Sequence, residues 1–175
     1  MYTCLHKSWS VKVPFRVGIG FDVHRFTHEP ERQHYVHVCG IKIPHTRGVI
    51  AHSDGDVGLH ALTDALLGCI GEGGIGEHFS DRDPKWRDMP STHFLTYAQQ
   101  KATLMSYAIL NFDMTIVCEY PKIAPHVPHM KEFLVQVLGI AQSCMNIKAV
   151  TTERLGFLGR EEGIAAHAVV LCKKV

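Results

Sequence analysis

The chain has 175 residues, a size that suits one domain with a real core. Its formal net charge of +1, with 20% charged residues, excludes the basic face of a nucleic-acid binder and an acidic interaction tail. No apolar run is long enough to span a membrane, and the opening stretch MYTCLHKSWSVKVPF lacks the continuous apolar core of a signal peptide.

In chain order, residues 1–14 read as a loose extension and residues 15–175 as the domain. Residues 15–23 read as a strand broken by the glycines of GIGFDVHRF. Asp22 and His24 lie two apart, so on a strand they share one face. A carboxylate beside an imidazole is half of a metal site, or two polar residues on a wet strand face. The polar RFTHEPERQHY, with Pro30, reads as a loop, and residues 35–43 as a second strand. HSDGD leads into VGLHALTDALLGCIG, where Ser53 and Asp56 resemble a capping box with Asp in place of Glu. Leu59, Leu62, Leu66 and Ile70 form an apolar stripe at helical spacing, and Gly71, Gly73 and Gly74 end that helix.

Ser91, after Pro90, starts a second helix whose face carries Phe94, Leu95, Ala98, Ala102, Met105 and Ile109. Residues 112–118 read as a strand. Pro128 opens a third helix that ends at Gly139, and residues 145–150 and 164–171 are closing strands. The order β-β-α-α-β-α-β is an α+β pattern, a sheet with helices on one face. The cysteines at 4, 39, 69, 118, 144 and 172 form no CxxC pair, which argues against a zinc ribbon or a thioredoxin motif. Most lie in apolar stretches, where free buried thiols are expected, and these suit a reducing cytoplasm.

The chemistry-bearing residues fall into separate stretches. His60 on the first helix would complete, with Asp22 and His24, a two-histidine, one-carboxylate set with an open fourth position, the layout of a catalytic zinc site. Asp56 and Asp64, at i−4 and i+4 from His60, are its candidate supporting partners. The alternative is a polar strand edge and a hydrogen-bonded helix histidine. His52 and Ser53, at a helix N-terminus, suit a phosphate or serve as an ordinary cap. In TTERLGFLGREEG, Thr151 and Thr152 offer hydroxyls, Glu153 a carboxylate and Arg160 a cation; together they suit a phosphate with Mg²⁺, or a polar strand end. The stiff YPKIAPHVPHM suits a flat base, or is a loop entering a helix.

Four stretches occur together and in order from about Arg16 to the C-terminus: GFDVHRF, AHSDGDVGLHALTDALLG, PKIAPHVPHM and TTERLGFLGREEGIA. The set resembles the 2-C-methyl-D-erythritol 2,4-cyclodiphosphate synthases of the non-mevalonate route to isoprenoids. The resemblance implies a ferredoxin-like α+β fold, assembled as a homotrimer with sheets facing the threefold axis and active sites between subunits. It implies zinc on Asp22, His24 and His60, and Mg²⁺ or Mn²⁺ on Glu153. It places His52, Ser53, Thr151 and Thr152 on phosphates, and cytidine at Cys118, Lys122, Ile123 and Ala124. Gly74 and Gly76 fall in the stretch that meets the erythritol unit, and Phe157 and Arg160 approach the axis. The implied reaction cyclises 4-diphosphocytidyl-2-C-methyl-D-erythritol 2-phosphate with loss of CMP. Alternatives are a metal-dependent phosphohydrolase using water and a catalytically silent nucleotide-binding trimer.

The chain departs from the family pattern at several positions. GGIGEHF puts Gly74 where an aspartate is usual, with Glu72 or Glu77 as candidate substitutes. The expected cost is one hydrogen bond to a neutral hydroxyl, about 0.5–1.5 kcal/mol. Ser80 replaces a common proline, Val150 a frequent threonine, and His167 a glutamate near the axis.

Overall fold

Two glycines in the first strand decide how the molecule is assembled. In the computed structural model, which describes residues 14–28, 35–80 and 82–175, strand β1 (Phe15–Phe26) buries Gly18 and Gly20. A Cβ on Gly18 would lie 1.9 Å from the Ala65 carbonyl oxygen, and one on Gly20 1.9 Å from that of Ala61. Helix α1 (Val57–Ile70) therefore rests its backbone directly on the strand, an approach only glycine permits. All but two residues of α1 are buried, and its stripe Leu59, Leu62, Leu66 and Ile70 lies in the core as the periodicity predicts. Gly71, in the left-handed conformation at φ 79°, ends the helix.

The sheet runs β4-β1-β7-β5-β6. Strand β7 (Gly163–Lys174) lies antiparallel to β1 on one side and to β5 (Tyr107–Val117) on the other. Strand β6 (Met145–Val150) pairs parallel with β5, and helix α4 (Val127–Leu138) makes the crossover such a pair needs. Strand β4 (Val49–Ile50) adds a short edge to β1. Helix α3 (Ser91–Leu104) packs on α1 and β5, so the long helices share one sheet face. On the opposite face β1 exposes Val17, Ile19, Phe21 and Val23; Ile19 is 71% exposed.

The α+β expectation with helices on one face holds, and several details differ. A ferredoxin-like unit runs β-α-β-β-α-β. Here helices separate β1 from β5 and β5 from β6, and only the single-turn α5 (Gly156–Gly159) separates β6 from β7. The strand expected over 35–43 is a hairpin, β2 (Tyr35–Val38) and β3 (Ile41–Pro44). Its turn residues Cys39 and Gly40 have φ 50° and 80°, the left-handed pair a tight hairpin requires. The second helix ends at Leu104, and Ser106 at φ 62° turns the chain so that Ile109 belongs to β5. Strand β5 accordingly begins five residues before the expected 112. The short helix α2 (Ile75–His78) starts straight after Gly74.

Asp56, not Ser53, caps α1. Its Oδ1 accepts from the Leu59 N–H at 2.9 Å and the Cys39 N–H at 2.7 Å, and Oδ2 from the Gly40 N–H at 2.6 Å. One buried carboxylate thus joins the helix start to the hairpin turn, and a hydroxyl could not accept from three donors so placed. Cys39, Cys69, Cys118 and Cys172 are free and buried, as expected, and Cys144 is half-buried. The expected extension lies, up to residue 13, outside the described residues.

Candidate metal centre and active site

Gly18, Gly20, Asp22 and His24 alternate along one face of β1. The glycines that admit α1 thus bring the next two residues of that face against the helix's first turns, where His60 waits. Asp22 Oδ2 lies 3.0 Å from His60 Nδ1 and 3.1 Å from His24 Nε2, and the two histidine nitrogens are 3.1 Å apart. Zinc bonds of about 2.0–2.1 Å in a tetrahedron set ligand atoms about 3.3–3.4 Å apart. The triangle meets that requirement within a few tenths of an ångström, and a carboxylate with two imidazoles is a suitable donor set for zinc. It is the one group of three such donors found among the described residues.

The electrostatics point the same way. Burial is the largest influence on each group. It pushes the Asp22 carboxyl up, but the hydrogen bond from His60 and the two imidazole charges bring it below its ordinary range. Burial pushes both imidazoles down. For His60 the Asp22 carboxylate more than reverses that, whereas His24 stays below its ordinary value. The Asp22 carboxylate thus strengthens the hold of His60 on its proton while His24 holds its own more weakly, and a cation bound by the three would displace such a proton.

A cavity of 440 Å³ opens over the triad. His52, Ser53 and Gly76 line it beside His24 and His60, while Phe79, Trp86 and Phe94 form an apolar wall. His52 and Ser53 sit in the loop before α1 rather than on the helix itself. Neither expected supporting aspartate hydrogen-bonds His60 through its side chain. Asp56 is committed to the cap, and Asp64 Oδ1 accepts from the Ile75 N–H at 2.6 Å. The partners are Ser91 Oγ, 2.8 Å from His60 Nε2, and Ser53 Oγ at 3.2 Å. Ser91 in turn meets Asp54. The proposed substitutes for the side chain missing at Gly74 are also engaged. Glu72 pairs with Lys101, and Glu77 Oε1 accepts from the Gly74 N–H at 3.0 Å. Asp64 is the carboxylate beside the gap, 3.3 Å from where a Gly74 Cβ would lie.

The residues expected to meet a nucleotide gather elsewhere. Cys118, Lys122, Ile123, Ala124 and Thr151 line a second cavity, of 130 Å³, at the ends of β5 and β6. It shares no lining residue with the first. Burial pushes the Cys118 thiol up to about 12, so it is a neutral wall and not a nucleophile. Thr151 Oγ1 donates to Glu153 Oε1 at 3.1 Å, and Glu153 and Arg154 are both left-handed, at φ 52° and 63°. Glu119, absent from the sequence-based candidates, holds this strained turn. Its Oε1 accepts from the Thr152 N–H at 3.0 Å and the Arg154 N–H at 3.2 Å, and lies 3.2 Å from the Thr152 hydroxyl, whose nearer acceptor is the Leu155 carbonyl oxygen at 2.8 Å. Arg160 pairs with Glu162 at 2.6 Å and borders a further cavity of 460 Å³ with Lys122 and Arg154. Phe157 is exposed.

The model of the YgbB family matches residues 15–173. The chain belongs to the YgbB family. A 2-C-methyl-D-erythritol 2,4-cyclodiphosphate synthase from Anaplasma phagocytophilum is 67% identical over 163 residues, spanning 93% of this chain and 97% of that protein. The bifunctional IspDF of Campylobacter jejuni superposes with a TM-score of 0.86 at 37% identity, over 92% of this chain and 42% of that one. The IspF of Plasmodium falciparum, solved with CDP, superposes with a TM-score of 0.79 at 29% identity, over 91% of this chain and 96% of that one. In this YgbB chain, then, the Asp22–His24–His60 triangle and the cavity at the ends of β5 and β6 are two separate places.

Proposed function

We propose that the chain is a 2-C-methyl-D-erythritol 2,4-cyclodiphosphate synthase, which cyclises 4-diphosphocytidyl-2-C-methyl-D-erythritol 2-phosphate and releases CMP. The observation that carries this is the Asp22–His24–His60 triangle under a 440 Å³ cavity, in a chain 67% identical to a protein of that name. Asp22, His24 and His60 hold zinc, and Glu153 holds Mg²⁺ or Mn²⁺. Bound cations supply neutralisation and alignment of the phosphates.

This chain's residues orient the substrate. His52 and Ser53 meet phosphate oxygens beside the triad. Lys122, Ile123 and Ala124 hold the cytosine ring, and the Thr151 and Thr152 hydroxyls exchange their present protein acceptors for the diphosphate. The 2-phosphate oxygen bonds to the β-phosphorus, and the bond from that phosphorus to the bridging oxygen breaks. CMP departs with the bridging oxygen and its charge. The attacking oxygen is already ionised near neutral pH, so no side chain has to take a proton. Folding the substrate back on itself is the main task, and such orientation is worth about 7–11 kcal/mol at best.

The assembly is a homotrimer, with residues 15–175 of each subunit as one domain. Two observations support it: the uncovered apolar face of β1, and the separation within one chain of two cavities that one substrate has to join. Free thiols support a cytoplasmic setting, and no helix is long and apolar enough to cross a membrane among the described residues. Phosphorus NMR of the protein with the cytidyl substrate, Zn²⁺ and Mg²⁺ tests the reading. CMP with two coupled ring-phosphate signals is the expected result. Open-chain phosphates would mean a hydrolase, and bound but unchanged substrate a silent binder.

A further inference from the structure

We infer that Ser91 and Asp54 are positioning residues for the metal centre, acting through His60; the inference rests on the metal reading above. Ser91 is the first residue of α3, is fully buried, and lies 31 positions from His60 in sequence. Its Oγ contacts two groups, His60 Nε2 at 2.8 Å and Asp54 Oδ1. Its backbone N–H donates to Asp54 Oδ2 at 3.1 Å. A carboxylate only accepts, so the Ser91 hydroxyl hydrogen points at Asp54. If it pointed at His60 instead, two oxygens would meet with no proton between them. The Ser91 oxygen is then left with lone pairs toward His60, and the imidazole must carry its proton on Nε2. In the neutral ring that binds a cation this leaves the bare nitrogen at Nδ1, the atom facing Asp22 and His24; the Nδ1 proton shared with Asp22 in the metal-free site is the one a cation displaces.

Ser53 fits the same assignment. Its Oγ accepts from the Gly55 N–H at 3.2 Å and lies 3.2 Å from the same His60 nitrogen. Asp54 also carries a wider duty. Its backbone N–H donates to Met89 O at 3.3 Å, and Asp88 N–H donates to His52 O at 2.8 Å. The loop before α1 is thereby tied to the segment before α3, which contributes Trp86 to the cavity wall. The ring of His60 is thus held from behind, in one tautomer and one orientation, by groups that never touch the cation.

The test uses the full-length zinc-loaded protein. Zinc affinity is measured by chelator competition, and the protonation of His60 by ¹⁵N–¹H correlation of its ring. The wild type is expected to show a solvent-protected proton on Nε2 and metal-shifted Nδ1. Ser91→Ala should weaken zinc about 10- to 100-fold and lose the protection of that proton. Asp54→Asn, which keeps an acceptor oxygen for Ser91, should lose less; it carries the test if circular dichroism shows Ser91→Ala unfolded. Zinc affinity and proton protection unchanged in both variants would overturn the inference, as would zinc bound through Nε2. Full zinc content in His60→Ala would overturn the metal reading itself, and this inference with it.

Discussion

At the scale of residues, the site joins groups the sequence advertises with groups it hides. Asp22 and His24 are legible because a strand puts i and i+2 on one face, and His60 because the motif around it is distinctive. Ser91, Asp54 and Glu119 are not legible. Their roles exist only through contacts made across the fold, 31 to 37 residues along the chain for Ser91 and 33 to 35 for Glu119. Cys118 shows how burial changes a reading. With its thiol pushed up to about 12, only about one in ten thousand molecules is a thiolate at pH 8. Iodoacetamide at pH 8, followed by peptide mass spectrometry, should therefore label Cys118 at least a hundredfold more slowly than a model thiol. Labelling at the model rate would mean the second cavity is built differently.

At the scale of elements, positions of close approach and strain do the aiming. The glycines of β1 were visible as a broken apolar run, but not the helix that needs them. Gly20→Ala would drive a Cβ to 1.9 Å from the Ala61 carbonyl oxygen, so strand and helix must part. Overpacking of this kind costs about 1–3 kcal/mol. Urea unfolding should show that loss, accompanied by reduced zinc retention because Asp22 and His24 move with the strand. Retention of both would contradict the account of how β1 builds the triad. The turn after β6 is aimed differently. Left-handed non-glycine residues cost on the order of 1–3 kcal/mol each, and Glu153 and Arg154 are two in succession. Glu119→Ala removes the acceptor of two backbone hydrogen bonds to that turn. It should lower kcat/KM about tenfold with little change in Tm, and Glu119→Gln, which keeps the acceptor oxygen, should restore most of it. Kinetics unaffected by Glu119→Ala would mean the turn holds itself. The hairpin and the start of β5 escaped the sequence for a related reason. Cys39 and Ser106 adopt left-handed conformations that their residue types do not announce.

At the scale of the whole molecule, layering was readable and topology was not. The mixed order of strands and helices read from the sequence, β-β-α-α-β-α-β, gives an α+β sheet with helices on one face. They do not say that β7, last in sequence, inserts between β1 and β5. The bare face is the surface on which the proposed assembly rests. Ile19→Glu places a charge on the exposed apolar face of β1, remote from the helix side that carries the triad. Sedimentation should show a wild-type trimer and a dissociated variant that still binds zinc, with turnover lost because the two cavities no longer meet. A monomeric, active wild type would contradict the proposed assembly.

The central claim is that β1 and α1 bring Asp22, His24 and His60 together to hold the metal on which cyclisation depends. Anomalous diffraction at the zinc edge, from crystals grown with Zn²⁺ and CDP, tests it most directly. The account predicts a peak about 2.0–2.1 Å from Asp22 Oδ2, His24 Nε2 and His60 Nδ1, with a phosphate oxygen of the nucleotide near the open fourth position. Zinc bound at other residues, or a triad left empty while CDP is held, would contradict it.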